Sequence, residues 1–315
     1  MSNQVFISIC IPAYKHVEYL KRLLDSIVIQ TFKDFEVVIT DDSPGDEVRI
    51  LINGYRDVLK IVYQKNDPIC GSPGNWNQSI LKANGEWIKL MHDDDWFSSS
   101  SSLDLFAKST QHNKKFIFSA YTNFYSDNKL EEIFFPQHYQ RKIIANPMLL
   151  LPKNIIGPPS VTMAHKSIIQ QYDTRMKWRV DIDFYIRVIQ TEKEMFYINQ
   201  PLINVGLGEL QVTNSCLNNP AVELPEGLLL LAKFGIKPLK NIWIYDTWWR
   251  LMRNMQIRNE KQLSEFTGAE RWPGVIKNLV KHQSKVKKSW LKFGVASKFF
   301  MMISYLLNRP SLKNS

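Results

Sequence analysis

Short apolar runs alternate with amphipathic stretches through the first 120 residues of the chain. Five of these runs have the length and apolar content of buried β-strands: Val5–Ile11, Phe35–Thr40, Leu59–Tyr63, Trp87–Met91 and Phe116–Ala120. Glu18–Gln30 predicts a helix with a leucine-rich stripe and with Lys21, Arg22 and Asp25 opposite, and Trp76–Ala83 predicts another. Strands that alternate with helices predict an α/β fold with a Rossmann-like, mainly parallel sheet flanked by helices.

The alternation stops after Pro225, where the chain becomes rich in Trp, Met, Lys and Arg. The apolar spacing there predicts helices in Leu228–Leu231, Ile242–Met255, Val275–Val280 and Lys285–Arg309. We therefore expect an α/β domain of residues 1–225 and a basic, aromatic-rich helical region of residues 226–315. The apolar run in the last segment is shorter than the roughly 20 residues that a membrane-spanning helix requires.

Polar residues follow three of the predicted strands at the point where each strand ends. Pro12, Ala13 and Tyr14 come after the first strand, Asp41-Asp42-Ser43 after the second, and His92-Asp93-Asp94-Asp95 after the fourth. Right-handed crossovers bring the carboxyl ends of parallel strands to one side of the sheet, which is where open α/β sheets bind ligands. The pattern predicts a binding site on this edge.

The three consecutive aspartates have two interpretations. Carboxylates on a rigid strand end are suitable ligands for Mg²⁺ or Mn²⁺, especially when a substrate diphosphate completes the coordination. Alternatively, Asp93, Asp94 and Asp95 cap a helix that begins within Phe97–Leu105, because Asp is favoured in the first turn.

The net charge of +10 is concentrated in the C-terminal region. From Lys233 onward there are 17 Lys or Arg and four acidic residues, so the preceding residues carry a net charge of about −3. A basic segment that contains Trp290, Phe293 and Phe299 is typical of an interfacial helix on anionic lipid. A helical subdomain or a dimer contact is the alternative, because buried helices share this apolar composition.

Other features of the sequence narrow the class of protein. The chain runs into its first predicted strand without a basic leader, and its three cysteines, Cys10, Cys70 and Cys216, are not clustered. We therefore expect a cytoplasmic protein with reduced thiols. A Walker loop, a Gly-x-Gly-x-x-Gly loop and a Cys/His spacing suited to zinc are all absent from the sequence.

Several motifs in this order resemble glycosyltransferase family 2, the inverting nucleotide-sugar transferases with the GT-A fold. The matching segments are Ile9–Tyr14, Val38–Ser43, Asn75 with Gly85–Ile88 and His92–Trp96, Gly157-Pro158-Pro159-Ser160, and Asp181–Arg187. The resemblance covers about two thirds of the chain and implies a GT-A sheet, a UDP-sugar donor and Mg²⁺ or Mn²⁺ as the cofactor.

Carried over by position, the resemblance implies a donor site on the first two strands. Pro12 and Ala13 would border the donor, and Tyr14 would lie against the nucleotide base. Asp42, and less certainly Asp41, would accept hydrogen bonds from that base, while the alternative role of Asp42 is an Asx turn before Pro44. Asn75 matches a family asparagine in the helix that precedes the metal strand. Its alternative role is to cap the start of that helix.

The family's metal motif usually reads Asp-x-Asp-Asp, but this chain has His92 in its first position. Asp94 then takes the place of the metal ligand, Asp93 lies near the ribose or the metal, and Asp95 braces the loop. We leave His92 out of the metal set, because a single histidine is more often structural.

Asp181 takes the position of the family's catalytic base, although the glutamate that commonly precedes it is Val180 here. Partial burial would raise the pKa of Asp181 toward the range useful for a general base, and a solvated acid at a helix start is the alternative. Asp183 has the spacing to pair with Arg187 at i,i+4. Gln211 lies in the segment where family members have a loop that closes over the diphosphate.

These residues predict a metal-dependent inverting hexosyltransferase that acts in bacterial surface-glycan synthesis, such as that of capsule or lipopolysaccharide. The expected acceptor is a glycan or a lipid-linked glycan, which would suit a peripheral position on the inner face of the cytoplasmic membrane. A sugar nucleotidyltransferase is the nearest rival, but Ala13-Tyr14-Lys15-His16 lacks the glycines of its phosphate loop. A nucleic-acid-binding protein is the other rival, and no recognisable nucleic-acid fold accompanies the basic region.

Overall fold

The computed structural model describes residues 5–127, 129–208, 215–268 and 271–313. Its strands are β1 Ile7–Ala13, β2 Phe35–Asp41, β3 Ile61–Lys65, β4 Trp87–Leu90, β5 Trp96–Phe97, β6 Phe116–Tyr125, β7 Leu130–Ile133, β8 Thr162–His165 and β9 Phe196–Leu207. The helices of the same part of the chain are α1 Val17–Val28, α2 Glu47–Asn53, α3 Gly74–Leu81, α4 Ser102–Ser109, α5 Gln140–Ala145 and α6 Val180–Glu192. The later helices are α7 Pro220–Phe234, α8 Ile242–Asn254, α9 Glu260–Thr267, α10 Gly274–Ser284, α11 Lys288–Lys292 and α12 Gly294–Lys313.

One nine-stranded sheet has the order β3-β2-β1-β4-β8-β6-β9-β5, with β7 paired to β6. The first four strands in this order are parallel, and beyond β4 the sheet becomes mixed: β8 is antiparallel to β4 and to β6, whereas β6 and β9 are parallel. The α/β class is confirmed. The parallel half brings the carboxyl ends of β1, β2 and β4 to the same edge.

The sequence explains why the parallel half is central. Every residue of β1, β2 and β4 is buried, as expected for strands covered on both faces. The predicted stripe of α1 supplies Leu20, Leu23, Leu24 and Ile27 to the same core, and all four are at most 1% exposed. These apolar contacts position the strand ends that carry polar residues.

Several predicted strand bounds differ from the observed ones, and two of the differences have identifiable reasons. β1 continues through Pro12 to Ala13, because its pairing with β4 ends at Cys10 and Pro12 pairs only with Thr40 of β2. The third strand begins at Ile61 instead of Leu59, whose backbone N–H donates to Tyr55 O at 2.8 Å in a helical turn.

The chain divides into two compact units. The first comprises residues 1–147, 155–174 and 180–211, and the second comprises residues 148–154, 175–179 and 212–315. Pro225 lies inside α7, so the expected boundary after residue 225 falls within a continuous helix. Among the described residues, no helix combines the length and apolar content needed to cross a bilayer.

Candidate active site

The segment after β4 places three polar side chains together. His92, Asp94 and Asp95 each present one potential ligand atom, and these three atoms lie within 4.8 Å of one another. The short strand β5 follows directly, and α4 begins only at Ser102. The helix-capping interpretation of the aspartates is therefore wrong, and the arrangement is a candidate site for a cation.

His92 and Asp95 are held in this cluster by contacts from two other segments. The backbone N–H of His92 donates to Ser160 Oγ at 2.9 Å, and the Ser160 hydroxyl donates to Asp95. Gly206 of β9 donates its N–H to Asp95 Oδ1 at 3.1 Å. The Nε2 atom of His92 is buried and has no hydrogen-bond partner among the described residues, so it is available as a ligand. His92 was expected to be structural and not a metal ligand, but it lies in the cluster with Asp94 and Asp95.

Burial and mutual repulsion act on the ionisable groups of this cluster. Burial and then the charge of the neighbouring Asp94 raise the pKa of Asp93 to about 7, although the N–H of Tyr14 opposes this shift. Burial and then the charge of Asp94 raise the pKa of Asp95 well above its ordinary value. Burial lowers the pKa of His92, which favours the neutral imidazole that binds metals. A bound cation would offset these costs.

Arg22 reaches this cluster from α1, although its helical position predicts a solvent-facing side chain. Its Nη2 donates to Asp94 O at 2.7 Å, and the guanidinium carbon lies 3.7 Å from the centre of the Trp96 ring. The loop backbone is thus held by a cation that stacks on the next strand. No pattern in the linear sequence reveals this contact, because it joins residues 72 positions apart.

Gly206 permits the closest backbone approach in the cluster. A Cβ at this position would lie 2.5 Å from Asp94 O, so a larger residue would push β9 away from the loop. The structure thus gives this glycine a packing role between β9 and the loop. Gln211, expected a few residues later, lies outside the described residues.

The end of β1 lies beside the aspartates. Pro12 and Ala13 are buried within the strand, and the N–H of Tyr14 donates to Asp93 Oδ2 at 3.3 Å. The Tyr14 ring is 45% exposed, and Lys15 Nζ lies 4.8 Å from its centre. An exposed aromatic ring next to a carboxylate cluster provides a surface on which a planar base can stack.

Asp42 and Asn75 hold the backbone around the end of β1. Asp42 Oδ1 accepts from Asn66 Nδ2 at 2.7 Å and from the N–H of Cys70 at 3.1 Å, and its Oδ2 accepts from the N–H of Gly71 at 2.7 Å. Asn75 accepts from Asn66 at 2.8 Å and donates to the carbonyl of Ala13 at 3.1 Å. Asn75 lies within α3 instead of capping it. The structure thus gives both residues an anchoring role.

Asp41, not Asp42, makes the Asx turn. Its Oδ1 accepts the N–H of Ser43 at 2.7 Å, and its Oδ2 accepts the Tyr63 hydroxyl at 2.9 Å and lies 3.5 Å from Lys65 Nζ. Asp41 is fully buried, so its charge is satisfied within the sheet. This environment favours a structural role for Asp41.

Asp181 lies at the second position of α6. It lies in the first turn of α6 and is partly exposed, and its Oδ1 accepts the N–H of Ile182 at 2.8 Å. Burial raises the pKa of Tyr121 to about 12, and the charges of both Asp181 and Asp95 contribute. Tyr121 of β6 is therefore within electrostatic reach of the expected base and of the cation cluster.

A row of aromatic rings connects the end of β4 to α6. The Trp76 ring lies 4.6 Å from the His92 ring and 5.2 Å from the Tyr172 ring, which stacks on Phe184 at 4.4 Å. Asn77 of α3 clamps Tyr172 by donating to its carbonyl at 2.9 Å and accepting its N–H at 2.8 Å. This packing positions the start of α6 relative to the β4 loop.

Asp183 has a different role from Asp181. Its side chain is fully buried and accepts from Arg187 Nε at 2.9 Å, which confirms the predicted i,i+4 pair. Arg187 also donates to Gln170 Oε1 at 2.6 Å and to the carbonyl of Gln171 at 2.9 Å. The pair ties α6 to the segment before it.

Lys89 is a buried residue that the sequence reading did not consider. It is fully buried in β4 and donates to the carbonyl of Ser160, and burial lowers its pKa to about 7 although Asp95 opposes this shift. In the sequence, the only sign of its burial was the position of this lysine within the apolar run of a predicted strand. An amine with this pKa is neutral part of the time at physiological pH, so it offsets the aspartate charge incompletely.

Comparison with known proteins shows which sequences and structures this chain is similar to. The sequence model of glycosyl transferase family 2 matches residues 8–172, which is more than half of the chain. The chain is 25% identical over 224 residues to the putative colanic acid biosynthesis glycosyl transferase WcaA of Escherichia coli K12, covering 68% of this chain and 78% of WcaA. It is 30% identical over 120 residues to the E. coli UDP-Glc:alpha-D-GlcNAc-diphosphoundecaprenol beta-1,3-glucosyltransferase WfaP, covering 38% and 46%.

Solved structures show the same fold. Staphylococcus aureus TarS 1–349 in complex with UDP-GlcNAc superposes with a TM-score of 0.59 at 15% identity, over 97% of this chain and 92% of that one. This chain spans 54% of a longer TarS structure. The mannosyltransferase PcManGT of Pyrobaculum calidifontis, in complex with GDP-Man and Mn²⁺, gives a TM-score of 0.55 at 10% identity, over 97% and 87%. At these identities the likeness concerns the fold.

Proposed function

The chain belongs to glycosyl transferase family 2, and we propose that it is a metal-dependent enzyme that moves a sugar from a UDP-sugar to a lipid-linked glycan with inversion. Its type, a hexosyltransferase, follows from the family and from its named relatives. The observation that carries the finer proposal is the cluster of His92, Asp94 and Asp95 beside the exposed Tyr14. It combines ligands for a cation with a surface for a nucleotide base.

The donor set of the cluster fits a divalent cation. Two carboxylates are typical ligands of Mg²⁺ and Mn²⁺, and an imidazole shifts the preference from the all-oxygen coordination of Mg²⁺ toward Mn²⁺. We assign Asp94 as the principal ligand, with His92 and Asp95 completing the protein side. When bound, the cation would act as a Lewis acid that stabilises the charge of the departing diphosphate by several kcal/mol.

The donor nucleotide is assigned to the ends of β1 and β2. Tyr14 would stack on the base, Pro12 and Ala13 would border it, and Asp93 would contact the ribose. Asp42 and Asn75 support the backbone here, since their side-chain atoms already bind loop amides and the Ala13 carbonyl. A UDP-sugar is favoured because TarS is solved with UDP-GlcNAc and the name of WfaP specifies UDP-Glc.

Asp181 is the proposed general base. In the reaction, an acceptor hydroxyl gives its proton to Asp181 while its oxygen forms a bond to the anomeric carbon. The bond from that carbon to the diphosphate breaks on the opposite face, so the configuration inverts. The position of Asp181 is suitable, because it is partly exposed and, like Asp95, acts on Tyr121. General-base catalysis typically contributes roughly 10²–10⁴-fold.

A lipid-linked glycan is the proposed acceptor because of what the relatives are called. WfaP is named as acting on a diphosphoundecaprenol-linked sugar, and WcaA is named for colanic acid biosynthesis. Family membership also favours sugar transfer over the nucleotidyltransferase and the nucleic-acid-binding protein considered from the sequence.

A thermal-shift titration with UDP, with and without Mn²⁺, tests the donor and cation assignments. Ligand at about 100 times its dissociation constant stabilises the folded state by about 2.7 kcal/mol. We expect this shift to require Mn²⁺ and to disappear in Asp94→Asn. Asp181→Asn should retain it while losing at least about 100-fold in turnover. Asp57→Asn, at an exposed carboxylate, is the matched control and should change neither.

Three results would refute parts of the proposal. A Mn²⁺-dependent shift that persists in Asp94→Asn removes the cation assignment, and full turnover in Asp181→Asn removes the base. If GDP raises the melting temperature and UDP does not, the donor assignment changes from a UDP-sugar to a GDP-sugar. The anomeric configuration of the product, measured by NMR coupling constants, tests inversion independently.

A further inference from the structure

The outward face of α12 is apolar. Val295, Phe299, Met302, Ile303 and Leu306 recur at helical spacing, and their exposed fractions run from 39% for Ile303 to 87% for Val295. Leu307 is 61% exposed on the same side, and Trp290 and Phe293, just before the helix, are 55% and 68% exposed. Exposed apolar side chains are common singly, but a continuous stripe of this length marks an interaction surface.

The inward face of the same helix contains the small polar residues. Ser297 Oγ accepts from Trp249 Nε1 at 3.1 Å, Ser304 Oγ lies 2.7 Å from the Tyr245 hydroxyl, and Asn308 Nδ2 donates to that hydroxyl at 2.7 Å. These hydrogen bonds to α8 fix the rotation of α12 about its axis. The helix therefore cannot bury its apolar stripe by turning without losing them.

The charged residues of the segment that contains the stripe are all basic. No Asp or Glu follows Glu270, whereas ten Lys or Arg lie after it. Lys292, Lys298 and Arg309 are exposed. At 100° per residue, Lys298 and Arg309 fall along one border of the apolar stripe. An apolar stripe edged by cations matches a surface that is apolar within and anionic at its boundary.

We propose that α12 and the exposed Trp290 and Phe293 dock this protein onto an anionic lipid bilayer, with α12 lying in the plane of the interface. The apolar side chains would enter the boundary between head groups and acyl chains, and the lysines would contact anionic head groups. A second copy fits the face less well, because residues 271–313 contain no acidic residue that could pair with Lys298 or Arg309 of a twofold-related copy. The proposal does not depend on the transferase assignment.

Vesicle flotation of the full chain without donor or acceptor tests the proposal. We expect binding to vesicles of phosphatidylcholine with about 30% phosphatidylglycerol to exceed binding to pure phosphatidylcholine at least tenfold, and to weaken in about 0.5 M salt. Phe299→Ser with Leu306→Ser should reduce binding at least tenfold, as should Lys292→Glu with Lys298→Glu. All four side chains are exposed, so these variants should fold.

The matched controls make the same kinds of substitution at exposed positions in the first unit. Ile50→Ser with Leu81→Ser changes two exposed apolar residues, and Lys60→Glu with Lys82→Glu changes two exposed lysines. Both controls should float like the wild type. The proposal is overturned if the variants at positions 292–306 float as well as the control variants. It is also overturned if the wild type does not float. A dimer in sedimentation that Phe299→Ser with Leu306→Ser dissociates, or a salt-sensitive nucleic-acid gel shift, each without flotation, would also overturn it.

Discussion

The strand-end cluster and the helix α12 both reverse the usual distribution of polarity, but in opposite directions. Around β4 the structure buries Asp95 and Lys89, whereas α12 exposes Phe299 and Leu306. Burying a charge lowers the stability of the folded state. Leaving an apolar side chain exposed only loses the stabilisation that its burial would have provided. The cluster therefore requires compensation from a bound cation or internal hydrogen bonds, and α12 requires only an external partner. Mutations should separate these two situations.

The largest expected loss of stability is at Asp42. Asp42→Ala leaves Asn66 Nδ2 and the N–H groups of Cys70 and Gly71 without their charged acceptor. Hydrogen bonds to charged groups contribute about 1.5–3 kcal/mol each, so we expect a loss of about 4 kcal/mol. Urea unfolding measures it, and Asp42→Asn should cost less. An unchanged midpoint would show that the loop does not depend on this carboxylate.

Asp183 and Asp181 should respond differently although they share one helical turn. Asp183→Asn breaks a buried ion pair with Arg187 and should cost about 3 kcal/mol. Asp181→Asn, at a partly exposed position, should stay within about 0.5 kcal/mol in unfolding while turnover falls. Equal destabilisation by the two substitutions would contradict the separation between a structural and a catalytic acid.

The pH dependence of stability should reveal Lys89. Because burial lowers its pKa to about 7, the unfolded chain binds one more proton than the folded chain between pH 7 and its ordinary value near 10.5. The free energy of unfolding should therefore rise with pH across this window, by at most about 1.4 kcal/mol per pH unit. Below pH 7 the cost of the buried charge is complete.

Lys89→Met, measured with a chelator present, should remove this contribution. The relevant quantity is the difference in slope between variant and wild type, since other groups also titrate above pH 9. Parallel stability curves for the two proteins would mean that the amine stays charged in the fold.

The smallest expected effects contrast the two faces of α12. Ser297→Ala leaves the buried Trp249 Nε1 and Arg253 Nη1 without an acceptor and should cost about 1–2 kcal/mol. Leu306→Ala removes a larger side chain from the exposed face and should change the free energy of unfolding by less than about 0.5 kcal/mol. If Leu306→Ala is the more destabilising, the helix buries its apolar stripe within the protein.

Much of the first unit was predictable because its strands are local and their ends are polar. β1, β2 and β4 are apolar runs next to polar residues, so periodicity alone located the edge that carries Tyr14 and Asp94. The second half of the sheet was not predictable in the same way. β8 inserts between β4 and β6 by pairings across more than 40 residues, which leave no periodic signal.

Residue types and spacing along the chain therefore determined the class of fold, the edge of the sheet that carries the candidate site and the basic character of the last helices. Tertiary structure alone decided that Arg22 and His92 join the aspartates, that Asp42 anchors a loop, and that α12 turns its apolar face outward. The reason is physical. Each of these outcomes depends on which distant atoms satisfy a buried polar group, and that pairing exists only after the segments have packed together.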